Sequence, residues 1–121
     1  MTIRVESPVG PLYVSAADGA ITRVSWRAAE LGEETPVLAT ARAQLDDYFD
    51  GKRQAFDLPR SVSGSAFQRA VCSAMAAIPF GETRTYGDIA AELGVPAQAI
   101  GQACGGNPIP VIIPCHRVLG A

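Results

Sequence analysis

From Leu93 to His116 the chain carries no Asp, Glu, Lys or Arg, a run of 24 residues that is its longest uncharged stretch. Its length alone would cross a bilayer. Pro96, Pro108, Pro110 and Pro114, four glycines, Gln98, Gln102 and Asn107 exclude a membrane helix, because hydrocarbon would leave their polar groups without partners. The stretch must instead be packed against protein in short pieces. The most confined piece is Ile109-Pro-Val-Ile-Ile-Pro114. Its two prolines exclude a helix and remove donors that a central strand would need. It reads as a buried, stiff, extended connector that delivers Cys115-His116-Arg117 to a fixed place.

The 121 residues suit one ordinary domain or two very small ones. With 48% apolar and 18% charged residues, a packed fold is the default and disorder is excluded. A net charge of −2 does not announce a nucleic-acid partner. Beyond residue 60 the only charged side chains are Arg69, Arg84 and Arg117 against Glu82, Asp88 and Glu92. The opening Met-Thr-Ile-Arg lacks the apolar core of a signal peptide, which predicts a cytoplasmic protein. Cys72, Cys104 and Cys115 are odd in number and widely spaced, so reduced thiols are expected rather than a disulfide framework. With no CxxC and with His116 as the sole histidine, neither a metal site nor a cofactor is expected.

Apolar periodicity divides the chain. Ile3 and Val5, Leu12 to Val14, and Ile21 to Trp26 form short alternating runs separated by Gly10-Pro11 and Asp18-Gly19, which predicts an antiparallel meander with one buried face. The alternation slips once, since Ile21 is out of phase with Val24 and Trp26. Leu38, Ala41, Leu45, Tyr48 and Phe49 then fall on one helical stripe that Gly51 ends. Phe56, Leu58 and Pro59 make a short extended segment. Ser61-Val-Ser-Gly-Ser65 is the linker, giving an N-terminal α/β support domain over 1–62 and a second domain over 63–121.

In the second domain Phe67, Ala70, Val71, Ala74, Met75 and Ile78 share a helical face until Pro79. Thr85 and Asp88 have capping-box spacing and open a short helix with Tyr86, Ile89, Ala90 and Leu93 inward, closed by Gly94. Pro96 suits the first position of a further helix, with Ile100, Ala103 and Cys104 inward. Two short helices joined by a tight Gly-containing turn form a helix-turn-helix pattern, and Ala97, Ala99 and Gly101 on the second would allow close approach to DNA. The predicted class is α+β: a small antiparallel sheet with a helix, then a helical, winged-helix-like helix-turn-helix domain.

Cys115 becomes a useful nucleophile only as a thiolate, and the only imidazole in the chain is its neighbour His116. In an extended segment the two side chains point apart, so coupling would run through a water or a local turn. From local chemistry alone the pair could equally be a core thiol and a structural histidine. A small-molecule thiol enzyme and an inert domain with buried thiols remain the alternatives at this point.

The motifs decide among these. Ala66-Phe-Gln68, Ile78-Pro-Phe-Gly-Glu-Thr83, Thr85-Tyr-Gly87, Ile89-Ala-Ala-Glu-Leu-Gly94, Asn107-Pro108 and Ile112-Ile-Pro-Cys-His-Arg-Val-Leu-Gly120 closely resemble the O6-alkylguanine-DNA alkyltransferases, also called methylated-DNA protein-cysteine methyltransferases. Pro-Cys-His-Arg-Val is that family's active-site signature. The resemblance implies a monomer that binds double-stranded DNA by the minor groove and flips an O6-alkylguanine out of the stack. Cys115 would take the alkyl group, from O6 of guanine or O4 of thymine, once per molecule. It further implies that His116 draws the Cys115 proton through water and that Asn107 braces the active-site turn. Tyr86, otherwise a buried aromatic anchor, would rotate a phosphate and bond the guanine. The carbonyls of Cys115 and Val118 would accept from its amino group. Cys104 would line the pocket, although a small core residue explains it better, and Arg117 is expected in a structural ion pair.

Two departures from the family pattern stand out. Gln98 occupies the place where many relatives insert an arginine into the stack, which predicts weaker and less salt-dependent DNA binding. Family members also continue past the position of Ala121, through a Gly-rich loop over the pocket and a helix bearing a glutamate that orients the histidine. Residues 1–121 by themselves are therefore expected to activate the thiolate less strongly. A non-catalytic lesion-binding protein is the runner-up. Relatives of that kind lack the cysteine that this chain retains at position 115.

Overall fold

The computed structural model describes residues 1–120. The chain divides into two compact units, Met1–Ser61 and Val62–Ala121.

In the first unit, strands β1 (Thr2–Val5), β2 (Leu12–Ala17) and β3 (Ala20–Ser25) form an antiparallel sheet in the order β1-β2-β3. Ile3 faces Val14 and Val14 faces Val24, so the apolar set lies on one face. Helix α1 (Pro36–Phe49) packs across that face with Leu38, Ala41 and Leu45 fully buried. The phase slip at Ile21 has a structural cause. Ser15 pairs with Arg23 but Ala16 pairs with Ile21, so Thr22 is an extra residue that turns Ile21 inward. Ile21 is fully buried and also pairs outward, its N–H donating to the Pro59 carbonyl while its own carbonyl accepts from Ser61 N–H.

Two sequence expectations need correction here. Trp26 lies beyond β3 and is about half exposed; its indole N–H donates to the Val9 carbonyl at 3.1 Å, so the ring lies over the first turn instead of entering the core. On α1 the stripe widens to include Gln44, the buried polar side chain of this unit, which bonds both backbone groups of Asp57 (3.0 and 2.9 Å) and so holds the segment leading to Leu58. Tyr48 and Phe49 are only partly covered, and Tyr48 packs against Phe56 with ring centroids 5.0 Å apart.

The second unit begins with α2 (Ala66–Ala76). Ser65 caps it by accepting from Gln68 N–H, and Val71, Cys72 and Met75 point inward, while Phe67 is only half-buried. Strand β4 (Arg84–Thr85) leads directly into α3 (Tyr86–Leu93), where the reciprocal Thr85–Asp88 capping box is present and Gly94 ends the helix in the left-handed region at φ 69°. Helix α4 (Ala97–Gly105) follows, with Pro96 as its N-cap and not its first helical residue. Strand β5 (Val118–Leu119) pairs in parallel with β4, Arg84 opposite Val118 and Thr85 opposite Leu119. The residue composition gave no sign of this two-residue ribbon. The observed class is α+β.

Candidate active site

The segment between α4 and β5 is buried, as Ile109, Ile112, Ile113 and Pro114 show, but it is not extended. It folds back on itself. Ile113 N–H donates to the Ile109 carbonyl at 2.9 Å, and Val111 sits at φ 73°, a left-handed conformation that a β-branched residue resists. Asn107 holds this turn from inside. Its side-chain carbonyl accepts from Ile109 N–H and its amide donates to the Ile113 carbonyl, both at 3.0 Å. The prolines that exclude regular structure thus favour a tight loop closed by one asparagine side chain.

Cys115 follows immediately. Its N–H donates to the Ile113 carbonyl at 2.9 Å, and Cys115–Arg117 form one turn of 3-10 helix in place of the extended run. At three residues per turn the Cys115 and His116 side chains still diverge, so no direct thiol-imidazole contact is built. The Cys115 carbonyl accepts from Val118 N–H and retains a second lone pair. Cys115 is half-buried and His116 is open to solvent. Partial removal of water, and then the neighbouring Arg117 charge, hold the imidazole below its ordinary pKa. His116 is therefore neutral and able to accept a proton at pH 7.

Arg117 makes no ion pair among the described residues. It donates to the Ile78 carbonyl at 2.7 Å and its guanidinium lies 5.5 Å from the centre of the Phe80 ring. Its role in the fold is to tie the 3-10 turn to the end of α2.

The β4–β5 ribbon is what brings the remaining candidates together. Tyr86 is the residue after Thr85, and Cys115 lies three before Val118, so the ladder fixes the start of α3 beside the cysteine turn. Tyr86 is half-buried, and a Cβ added to Gly101 would lie 3.4 Å from its ring. The absent side chain of Gly101 thus gives the ring a seat on α4. Ala97 and Gln98 are exposed in the first turn of α4, and Ala99 is half-buried behind them.

Cys104 is half-buried near the end of α4 with its thiol 3.5 Å from the Met75 sulfur. Burial first, and then Cys115 and Cys72, push its pKa above the ordinary 9.0, so it stays protonated at neutral pH. Gln68 is a residue the sequence reading missed as a link: its amide donates to the Ala103 carbonyl at 2.8 Å and ties α2 to α4. Only the Ala66-Phe-Gln68 motif pointed toward it. Among the described residues no cluster of His, Cys, Asp and Glu could hold a metal ion, and no helix is long and apolar enough to cross a membrane.

Comparison with known proteins identifies the family and agrees with the fold. Residues 66–121 match the family model of the 6-O-methylguanine DNA methyltransferase DNA-binding domain, and residues 3–61 match that of the ribonuclease-like domain of the same methyltransferase. The chain belongs to the 6-O-methylguanine DNA methyltransferase family. Within it, the constitutive methylated-DNA–protein-cysteine methyltransferase of Bacillus subtilis is 42% identical over 128 residues, which cover 95% of this chain and 78% of the relative. The crystal structure of the Mycobacterium tuberculosis O6-methylguanine methyltransferase superposes with a TM-score of 0.90 at 37% identity, covering 99% of this chain and 78% of the other. The M. tuberculosis OGT structure in complex with DNA gives 0.84 at 40% identity, covering 98% and 77%.

Proposed function

We propose that this methyltransferase-family protein repairs alkylated double-stranded DNA directly, moving the alkyl group from O6 of guanine, or O4 of thymine, to the Cys115 sulfur in a single turnover. The observation that carries the reading is the placement of Pro114-Cys-His-Arg-Val118. The cysteine turn is braced by Asn107 on one side and held by the β4–β5 ladder on the other, beside the first residue of the helix pair. The family match of residues 66–121 to a DNA-binding domain supports the helix pair as the DNA contact.

The chemistry is one displacement. His116, neutral at pH 7, takes the Cys115 proton through an intervening water, since the turn keeps the two side chains apart. The thiolate attacks the alkyl carbon; the S–C bond forms as the C–O6 bond breaks, and the electron pair leaves on the base. Tyr86 donates toward that base and neutralises the developing charge, and the carbonyls of Cys115 and Val118 accept from its amino group. The thioether is stable, so the protein is consumed. Ala97, Gln98, Ala99 and Gly101 form the DNA-facing stretch of α4, with Gln98 filling the space left by the flipped base, and Cys104 closes one side of the pocket. Residues 1–62 act as the support domain. The protein acts as a monomer, and a mechanism that needs a reduced thiol on DNA suits the cytoplasm.

Intact-protein mass after incubation with a duplex carrying one O6-methylguanine tests this. A gain of one methyl group, only with the lesion and absent in Cys115→Ala, is expected. No gain with lesion-selective binding retained would replace transfer by recognition alone.

A further inference from the structure

The second unit is poor in charge that could meet a phosphate. It contains no lysine, and each of its three arginines is turned onto the protein: Arg69 onto the Gly64 carbonyl (2.7 Å), Arg84 onto Glu92 and the Asp88 carbonyl (3.3 and 3.2 Å), and Arg117 onto the Ile78 carbonyl (2.7 Å). A DNA-binding protein needs cations, because neutralising phosphates releases condensed counterions and supplies most of the sequence-independent affinity.

The first unit holds such cations in a built hollow. Helix α1 covers one face of its sheet. On the other face the register sets Arg4 beside Tyr13, Tyr13 beside Ser25 and Ser15 beside Arg23. Over these residues lies a hollow of about 190 Å³, lined by Tyr13, Ser15, Arg23, Ser25 and Arg27 and bordered by Ala28–Ala29. At about 30 Å³ per water it has room for a phosphate group and part of its hydration shell. Arg23 and Arg27 are exposed, and neither takes part in the ion pairs found among the described residues, which join Arg4 to Glu6, Arg42 to Glu34 and Arg84 to Glu92. Ser25 Oγ accepts from Arg27 N–H at 3.0 Å, which leaves its own proton for another acceptor. Two arginines and a serine hydroxyl donor line this hollow together with Tyr13 and Ser15, a donor set that suits a tetrahedral oxyanion.

We propose that this hollow binds a backbone phosphate of DNA, as a second contact of the chain outside the helix-turn-helix. The inference rests on the reading that the protein acts on DNA, and it assigns to residues 1–62 a share of the affinity beyond mechanical support.

The test is the affinity of the full chain for undamaged duplex, measured across a range of salt concentrations. Three variants are compared with the parent: Arg23→Gln/Arg27→Gln, Arg23→Lys/Arg27→Lys, and Lys52→Ala as a single exposed cation elsewhere on the unit. Losing one phosphate contact lowers the slope of log K against log salt by about 0.9. That drop is expected in the glutamine pair only. The lysine pair keeps the slope with reduced affinity, because it keeps charge and loses the fork. A slope in the glutamine pair equal to the parent's overturns the proposal, and so does an equal drop in Lys52→Ala. Polyglutamate competing at the hollow while the DNA slope is unchanged assigns it to acidic peptides and overturns it too. Methyl transfer is read in parallel for the same four proteins, at saturating concentrations of a duplex that carries one O6-methylguanine. A lowered slope with no transfer in any sample would sink the repair reading and leave this contact standing. Transfer with unchanged slopes would do the reverse.

Discussion

Asn107→Ala removes the two hydrogen bonds that close the loop ahead of Cys115, and its cost can be worked from the geometry. Both bonds are 3.0 Å, and their partners belong to Ile109 and Ile113, neither of which is exposed. Each is worth about 1 kcal/mol net, and a buried backbone group left without a partner costs about 1–3 kcal/mol more. Water reaching a half-buried site recovers part of this, so the expected loss is about 2–3 kcal/mol. That corresponds to a roughly 30- to 150-fold rise in the opening constant. Amide exchange in α2, α3 and α4 is the suitable readout, because the single tryptophan, Trp26, lies in the first unit and reports on that unit. The variant also frees Val111 to leave φ 73°, which shifts the Ile113 carbonyl that holds Cys115 N–H. Methyl transfer should therefore fall about tenfold or more beyond what the lost folded population explains. Asn107→Asp keeps the acceptor for Ile109 N–H, loses the donor to Ile113 and should fall between parent and alanine variant. An opening constant within about threefold of the parent for Asn107→Ala would refute the bracing argument.

Other substitutions separate packing from chemistry. Gly101→Ala should leave stability equal or up to about 1 kcal/mol higher, since helix propensity improves and the new Cβ meets the Tyr86 ring near ordinary contact distance; Gly101→Leu should displace that ring and lower methyl transfer more than the unfolding midpoint. Thr85→Ala removes the N-cap of α3 and should cost about 1 kcal/mol in denaturant unfolding. Because His116 is held below its ordinary 6.5, the midpoint of the acid-side decline in transfer rate should lie below that value. Arg117→Gln removes a positive neighbour, favours the imidazolium and should move that decline to higher pH, which a pH–rate profile would show. Gln98→Arg should steepen the salt dependence of DNA binding by about one phosphate contact; equal slopes would contradict the role given to Gln98.

Much of the fold is legible in the sequence because local rules and packing agree. The Thr85–Asp88 spacing gives the cap, Gly94 the helix end and Leu38, Ala41 and Leu45 the buried stripe of α1. What escaped depends on partners distant in sequence. The β4–β5 ribbon is two residues long on each side, too short for periodicity to register, and the inward turn of Gln44 is explained only by the Asp57 backbone. The loop at 107–113 departs from the expected extended path for a different reason: two prolines exclude helix and central strand without choosing between an extended path and a tight turn. A side chain, Asn107, makes that choice. The active-site motif named Cys115 and His116 at once, whereas the seating of Tyr86 on Gly101 needed the packed helices.

Thr22, the extra residue opposite the Ser15–Ala16 step, makes the meander insensitive to length at one point. Deleting it would bring Ile21 and Val24 into simple alternation and leave both facing α1. A one-residue deletion in β2 or β3 away from the Ile21–Val24 stretch would instead turn every side chain beyond it to the opposite face. The hairpin end of the sheet and the face that carries Arg23 are thus set independently of each other. Changes of chain length at the 18–19 turn can be absorbed at Thr22 without rotating the arginine away from Tyr13 and Ser15.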